Sequence, residues 1–344
     1  MMYWFEKIDY EAAKELASEE LRSGRRHTPD ETINKARKGG LLLTRQQLES
    51  TQAYDRHERI VERADDQGLL HARNGKWLEV RTWSNDIRGV TTLFGWGCYW
   101  MAWSFVASGW LDVIFLYSTG HRADGTVLVR TTALVALLNA IGFTLFAAGF
   151  TWAMQRYFFR YELLTQRWIR LRFNRETQKV YLLRPKYAGG LMVFDWSDTD
   201  PSLSKSADAN AVLMHWPVLI WGSETELGKV GAMQFIGRRT SFKTVGDWMA
   251  FWEYIRRYME EGPDAVPKPK TVIGYRPSIK EAWLSVTQWY PAFQQEGFIG
   301  KISDGISLLI LPLIVLIFIG NFLGQCLTWQ ARFPEEIESA ADAS

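Results

Sequence analysis

Residues 306–327 read ISLLILPLIVLIFIGNFLGQCL, with no Lys, Arg, Asp, Glu or His among them. About 20 apolar residues suffice to cross a hydrocarbon core of about 30 Å. Two further stretches meet that requirement. Residues 132–154 carry no charge, and residues 91–117 carry only Asp112, close to their end. The pattern predicts an integral membrane protein with three transmembrane helices and a large soluble part.

The chain has 344 residues and a net charge of +2, which argues against a dedicated nucleic-acid binder. Trp is abundant, with 17 copies. Trp96, Trp110, Trp152 and Trp329 stand near segment ends, where amphipathic rings favour the headgroup region. The two cysteines, Cys98 and Cys326, both fall inside apolar segments, which excludes a disulfide framework and a cysteine-based zinc site. The start, MMYWFEKIDYEAAKELASEE, is acidic and lacks an apolar h-region, so no cleavable signal peptide is expected.

Lys and Arg beside membrane segments mark the cytoplasmic side. Arg73, Lys76, Arg81 and Arg88 precede the first segment. Arg156, Arg160, Arg167, Arg170, Arg172 and Arg175 follow the second. The link between them holds only Arg122 and Arg130, and Arg332 after the third is outweighed by Glu335, Glu336, Glu338 and Asp342. The expected topology is multi-pass, with the N-terminus and middle domain cytoplasmic and the C-terminus on the far side, which is the periplasmic side for the bacterial inner membrane that the resemblance given below implies. Arg156, Arg160, Arg170 and Arg172 are candidate contacts for anionic headgroups of the lipid bilayer; a plain topology signal explains the same cluster.

Within the apolar segments, Gly320 and Gly324 have the spacing that lets helix backbones approach closely, here to pack against the other two segments. Asn139 and Asn321 would seek hydrogen-bond partners in lipid. Asp112 is an intramembrane acid, but close enough to the segment end to reach interfacial water. No inverted repeat or polar lining suggests a transporter or channel.

The chain divides into an N-terminal cytosolic helical or mixed region (1–90), a transmembrane hairpin (91–154), a cytosolic α+β domain (155–263), a linker with a short helix (264–305), a third transmembrane helix (306–328) and an acidic tail (329–344). In the first of these, acids and bases balance, and Thr28-Pro29-Asp30-Glu31 has the form of a helix start. Asn74-Gly75 is a hairpin signal between Leu69-Leu70 and residues 77–80. Residues 168–173 alternate apolar and basic, as a half-buried strand does, and residues 178–183 return as its partner. Residues 190–196, 212–221 and 231–236 read as further strands, with a polar loop over 197–210. Thr244 and Asp247 form a weak capping box opening a helix whose apolar stripe is Trp248, Phe251, Trp252, Ile255, Tyr258 and Met259. Glu253, Arg256, Arg257 and Glu260 fall on the opposite face, and Gly262-Pro263 ends the helix. Strands followed by one closing helix resemble a pleckstrin-homology-like half-barrel. Ser278 and Glu281 cap the short helix beyond.

Catalytic signatures are missing. His27, His57, His71, His121 and His215 are scattered, and no metalloprotease, phosphate-loop, dinucleotide or nucleophile-elbow motif occurs. Asp195 beside Trp196 reads as a surface or turn group. No catalytic, cofactor or metal residues are assigned, and the chain is expected not to be an enzyme.

Arg172-Phe173-Asn174-Arg175 with Gln178-Lys179-Val180-Tyr181, and WEYIRRYMEEGP over 252–263, resemble hallmarks of a proteobacterial family of uncharacterised inner-membrane proteins. The resemblance covers about residues 85–270 and implies a helical hairpin ahead of a soluble domain, with the N-terminal region and third segment as variable additions. Such proteins are often encoded near type VI secretion effectors. The resemblance implies a non-enzymatic immunity or accessory protein that binds a secreted toxin. The alternative is a membrane-anchored lipid- or signal-sensing module that uses the basic strand beside the membrane.

Overall fold

The computed structural model describes residues 3–24, 51–53, 59–83, 88–119, 130–157, 159, 162, 164–204, 218–221, 230–238, 241–242, 244–288 and 298–342. Its helices are α1 (Trp4–Ser23), α2 (Val90–Thr119), α3 (Arg130–Tyr157), α4 (Val245–Glu260), α5 (Ile279–Thr287), α6 (Phe298–Cys326) and α7 (Glu335–Asp342). Its strands are β1 (Thr51–Ala53), β2 (Leu70–Arg73), β3 (Trp77–Val80), β4 (Arg170–Asn174), β5 (Lys179–Leu183), β6 (Leu191–Asp195), β7 (Asp200–Ser204), β8 (Val218–Trp221) and β9 (Ala232–Phe235).

Strands β2 to β6 form an antiparallel sheet in chain order, and β1, β7, β8 and β9 form a second sheet in that spatial order. Local chemistry sets the first sheet's turns. The Asn74 side chain accepts from the backbone N–H groups of Lys76 and Trp77 and closes β2 on β3. Asn174 accepts from Thr177 N at the β4–β5 turn. Between β6 and β7 a single 3-10 turn at Trp196–Asp198 redirects the chain. β6 pairs only with β5, and β7 pairs with β8 and β1. The mixed α+β character therefore holds, but the expected half-barrel is replaced by two sheets. The loop expected over 197–210 contains strand β7. The hydrophobic core lies between the sheets and α4, where Phe194 stacks on Trp221 and Trp196 on Trp252.

Helix α4 opens with both hydrogen bonds of the Thr244–Asp247 capping box. Its apolar stripe is buried as read. Its charged face is covered in part: Glu253 is 0% exposed, accepts from Arg256 and Arg257, and Arg257 also donates to the carbonyls of Val61 and Glu62. Among the described residues, the N-terminal region opens with α1, a helix of 20 residues. It is tied down by Tyr3 donating to the Gln166 carbonyl and by Asp9 accepting from Arg184. The helix start read at Thr28 lies outside the described residues.

Helices α2 and α3 form an antiparallel hairpin. Tyr99 donates to Gln155, Trp103 to Thr151 and Trp110 to Thr144, one register running the length of the pair. This hairpin is inserted between β3 and β4, which are neighbours in the sheet. Its two ends therefore join adjacent strands of the α+β domain. Residues 92–118 and 134–157 are long and apolar enough to cross a membrane, by length and composition.

The third expected crossing is corrected. Helix α6 carries Pro312 inside it, and its described apolar part, Leu311–Cys326, is too short for a span. One face of that part is used for internal packing: Ile314, Gly320, Asn321, Gly324 and Gln325 are buried. A Cβ at Gly320 would stand 2.6 Å from the Gly89 carbonyl oxygen and 2.5 Å from Leu93 Cγ, so the glycine pair permits a close crossing with the start of α2. Asn321 donates to the Arg88 carbonyl. Beyond α6 the chain returns to the first sheet, where Glu338 pairs with Arg170 and Arg172. A tail in contact with β4 lies on the same side of any bilayer as the sheet, so the number of crossings between them is even. A single third span with the tail beyond it does not fit.

Trp252 is 0% exposed, stacked on Trp196, and also packed against Trp248. Trp252→Ala should therefore cost about 3–5 kcal/mol. Chemical unfolding in detergent measures this, and a variant as stable as the parent would contradict the assigned core.

Candidate functional site

Strand alternation places Leu171 and Phe173 in the core and turns Arg170 and Arg172 to the opposite face of β4. The sequence pattern reads as a half-buried strand, yet all five β4 residues are buried. The polar face is covered as well. On β3, Glu79 is in register with Arg172. Its Oε1 accepts from Arg172 Nε at 2.7 Å and from an Arg170 terminal nitrogen at 2.7 Å. Its Oε2 accepts from Arg170 Nε at 3.0 Å and from the Tyr275 hydroxyl. The Arg170–Glu79 contact is thus a two-pronged pair, the arrangement a planar guanidinium favours.

The C-terminal tail completes this seam. Glu338 on α7 accepts from Arg170 and Arg172, both at 3.0 Å. The Phe333 ring lies 4.6 Å from the Arg170 guanidinium carbon and 4.5 Å from that of Arg172. Trp77 lies 4.1 Å from the Arg172 guanidinium carbon, and Tyr275 lies 5.0 Å from that of Arg170. Desolvated cations over aromatic faces gain about 2 kcal/mol each. Burial pushes the Glu338 carboxyl up, but the Arg172 hydrogen bond and the two guanidinium charges outweigh it and hold the group below its ordinary value.

The tail runs alongside the approach to β4 as well. Gln166 and Trp329 form a parallel bridge. Arg167 donates to the carbonyls of Gln325 and Thr328 at the end of α6, and Arg88 donates to Gly324 O and Thr328 Oγ1. These guanidinium groups satisfy carbonyls that the helix end leaves without partners. At the start of α2, Glu162 does the complementary job, accepting from Gly89 N, Thr92 N and the Thr92 hydroxyl.

A second group flanks the seam. His71 stacks on Tyr275 with ring centroids 4.9 Å apart, and its Nδ1 lies 2.9 Å from the Ile273 carbonyl, to which it must donate. Burial, reinforced by the Arg81 charge, lowers its pKa to about 3. Arg81 and Arg238 both donate to Glu281, so this acid holds α5 against the sheet instead of completing the capping box expected with Ser278.

The structure separates the four candidate headgroup arginines. Arg170 and Arg172 are 8% and 0% exposed and ion-paired, so they are withdrawn from a bilayer surface. Arg156 is exposed at the end of α3, and Arg160 lies outside the described residues. Asp112 is exposed on α2, as is Asn139 on α3. Asp195 ends β6 in a half-exposed pair with Lys179. His215 lies outside the described residues. Sequence reasoning missed Glu79, Tyr275, Phe333 and Glu338. The signal present was Glu79 at the alternate position of a strand beside an Arg-x-Arg strand, and a helix start at Pro334-Glu335-Glu336 in the tail. Among the described residues, no three of His, Cys, Asp and Glu come together as metal ligands.

Two predictions follow from this geometry. Glu79→Gln leaves two buried arginines short of a carboxylate and should cost about 3–5 kcal/mol in unfolding measurements. Asp195→Ala, which removes the half-exposed pair with Lys179, should cost below about 1 kcal/mol. Equal effects of the two substitutions would overturn the distinction. Acid should act in two steps. Between about pH 6.5 and 3 the unfolded chain binds a proton at His71 and the folded chain does not, so stability falls as pH drops below 6.5. Glu338, whose pKa is lowered on folding, contributes above its ordinary value of 4.5, and that contribution goes as pH falls through the folded value. Melting curves from pH 7.5 to 5 should show the first loss in the parent and a reduced one in His71→Asn.

Residues 150–343 match a family described only as a family of unknown function, DUF6708. The match includes Arg170, Arg172, Tyr275, Phe333 and Glu338. It begins late in α3 and contains α6 and the tail, the former of which the resemblance had set aside as a variable addition. No curated protein and no solved structure matches the chain.

Proposed function

The chain belongs to the DUF6708 family, whose function is unknown, and from that premise we propose that it is a membrane-anchored protein acting by stoichiometric binding, with a secreted toxin or effector as partner. The observation that carries this reading is the state of the seam. Both oxygens of Glu79 are engaged by Arg170, Arg172 and Tyr275, and both oxygens of Glu338 by the two arginines. A general acid or base needs a lone pair or proton directed at substrate. Glu79, with two hydrogen bonds on each oxygen, and Glu338, bridging the two arginines, hold shape, which suits a recognition surface. The toxin as partner follows from the sequence resemblance.

Anchoring is assigned to α2 and α3. Their outward faces carry large apolar side chains, among them Phe94, Trp100, Phe105, Leu138, Phe146 and Trp152. Placing the arginines after α3 on the cytoplasmic side puts both sheets, α6's end and the tail there, and the link between α2 and α3 in the periplasm. The lipid- or signal-sensing alternative loses its main support, because the basic strand that suggested it faces inward and is neutralised.

Co-expression with the toxin encoded beside the gene tests the function. Protection should survive Asp112→Ala and Asp195→Ala at equal protein level. It should be lost when the two anchoring helices are removed, with the remaining domain checked for folding. Loss of protection from either point change, with abundance unaltered, would sink the binding reading in favour of chemistry at that residue. Sidedness is read by reporter tags: insertions at residues 208 and 344 should report the cytoplasm and one at residue 124 the periplasm. Opposite signals at 208 and 344 would overturn the even number of crossings.

A further inference from the structure

We propose that the Arg170–Arg172 face of β4 is a docking site for an acidic segment of a partner protein, and that residues 333–342 of this chain are its resident occupant, displaced when the partner binds. The proposal rests on the binding reading above and gives it a surface.

Burial is lopsided across the contact. Arg170 and Arg172 are 8% and 0% exposed, whereas of residues 333–338 on the tail only Phe333 is buried. Glu335 and Glu336 are exposed, and Ile337 and Glu338 are only partly covered. Helix α7 has eight residues, below the 12–15 or so that an isolated helix needs in water, so its order depends on what it touches. Its grip is compact and transferable. It consists of one ring lying against two guanidinium groups, one carboxylate bridging both arginines, and one backbone carbonyl, Ile337 O, near Arg172 at 3.4 Å. Another chain offering an aromatic side chain just ahead of a short helix and a carboxylate five residues later can supply the same set.

Charge dictates the kind of occupant. With the tail in place, two guanidinium groups meet two carboxylates, Glu79 and Glu338. With the tail away, Glu79 alone faces both cations, between the rings of Trp77 and Tyr275. A buried cation lacking its counter-charge is strongly unfavourable. The face therefore selects a carboxylate, and the flanking rings favour one carried on a protein segment with an aromatic residue. Displacement by such a segment swaps one neutralised state for another and leaves the apolar core on the other face of the sheet untouched.

The test uses the full chain in lipid nanodiscs, with a protease site inserted between Arg332 and Phe333 and cut after folding. A fluorescent synthetic peptide of residues 333–342 is the probe. The cut tail should exchange with the peptide, and binding should saturate and weaken with added salt. Peptides carrying Glu338→Gln or Phe333→Ala should bind at least tenfold more weakly; the substitutions sit in the peptide, so the protein's folding is not at stake. Three results would overturn the proposal: a cut tail that never exchanges, peptide binding indifferent to both substitutions, or loss of the cooperative melt on cutting. Capture of anionic lipid vesicles or inorganic phosphate without capture of the peptide also counts against it. Failure here with toxin protection intact retires this site alone. Exchange as expected without any toxin protection retires the toxin reading and leaves the site.

Discussion

Two arginines two residues apart on one strand set the terms for everything packed on that face of the first sheet. Strand geometry forces Arg170 and Arg172 to share the face opposite Leu171 and Phe173. Once covered, their charges need partners, since an uncompensated buried cation is costlier than the fold can sustain. One partner comes from the neighbouring strand as Glu79, one from the tail as Glu338, and the rings come from β3, the linker after α4 and the tail. The linker and tail are thus drawn back to the sheet by the same pair of side chains. That return is what rules out a lone third membrane crossing.

A second constraint operates where the helical hairpin meets the sheets. The start of α2 and the end of α6 approach each other closely, and each leaves backbone groups without intrahelical partners. Opposite charges resolve the two ends. A carboxylate, Glu162, accepts from the N–H groups at the start of α2, and guanidinium groups, Arg88 and Arg167, donate to carbonyls at the end of α6. Each sign of charge also matches the dipole of the helix end it meets. Glycines at 320 and 324 make the approach possible. The arginines near the apolar segments are thus divided by structure: Arg156 is exposed at the end of α3, while Arg88 and Arg167 are polar fasteners.

Local features were legible because their causes are local. The Asn74 turn, the β4–β5 hairpin, the Thr244–Asp247 box and the apolar stripe of α4 all depend on residues within a few positions of each other. The long-range features were not legible. Alternation at 168–173 shows that a strand has two unlike faces, but not that Tyr275 and Glu338, over a hundred residues away, will cover the polar one. The same gap hides the covering of α4's charged face, where Arg257 reaches the carbonyls of Val61 and Glu62. It explains α6 too. Hydropathy sees apolar residues and cannot tell lipid from a neighbouring helix, whereas Asn321 and Gln325, buried and hydrogen-bonded, betray an internal face.

Taken together, the contacts make the stretch from 166 to 172 the shared spine of anchor and seam. Gln166 bridges to Trp329, Arg167 holds the end of α6, and Arg170 and Arg172 hold α7. The stretch follows α3 in the chain and leads into the centre of the sheet. The contacts that hold the tail and those that hold the end of α6 thus lie within a few residues of each other on the chain, joined to it by ion pairs and backbone hydrogen bonds.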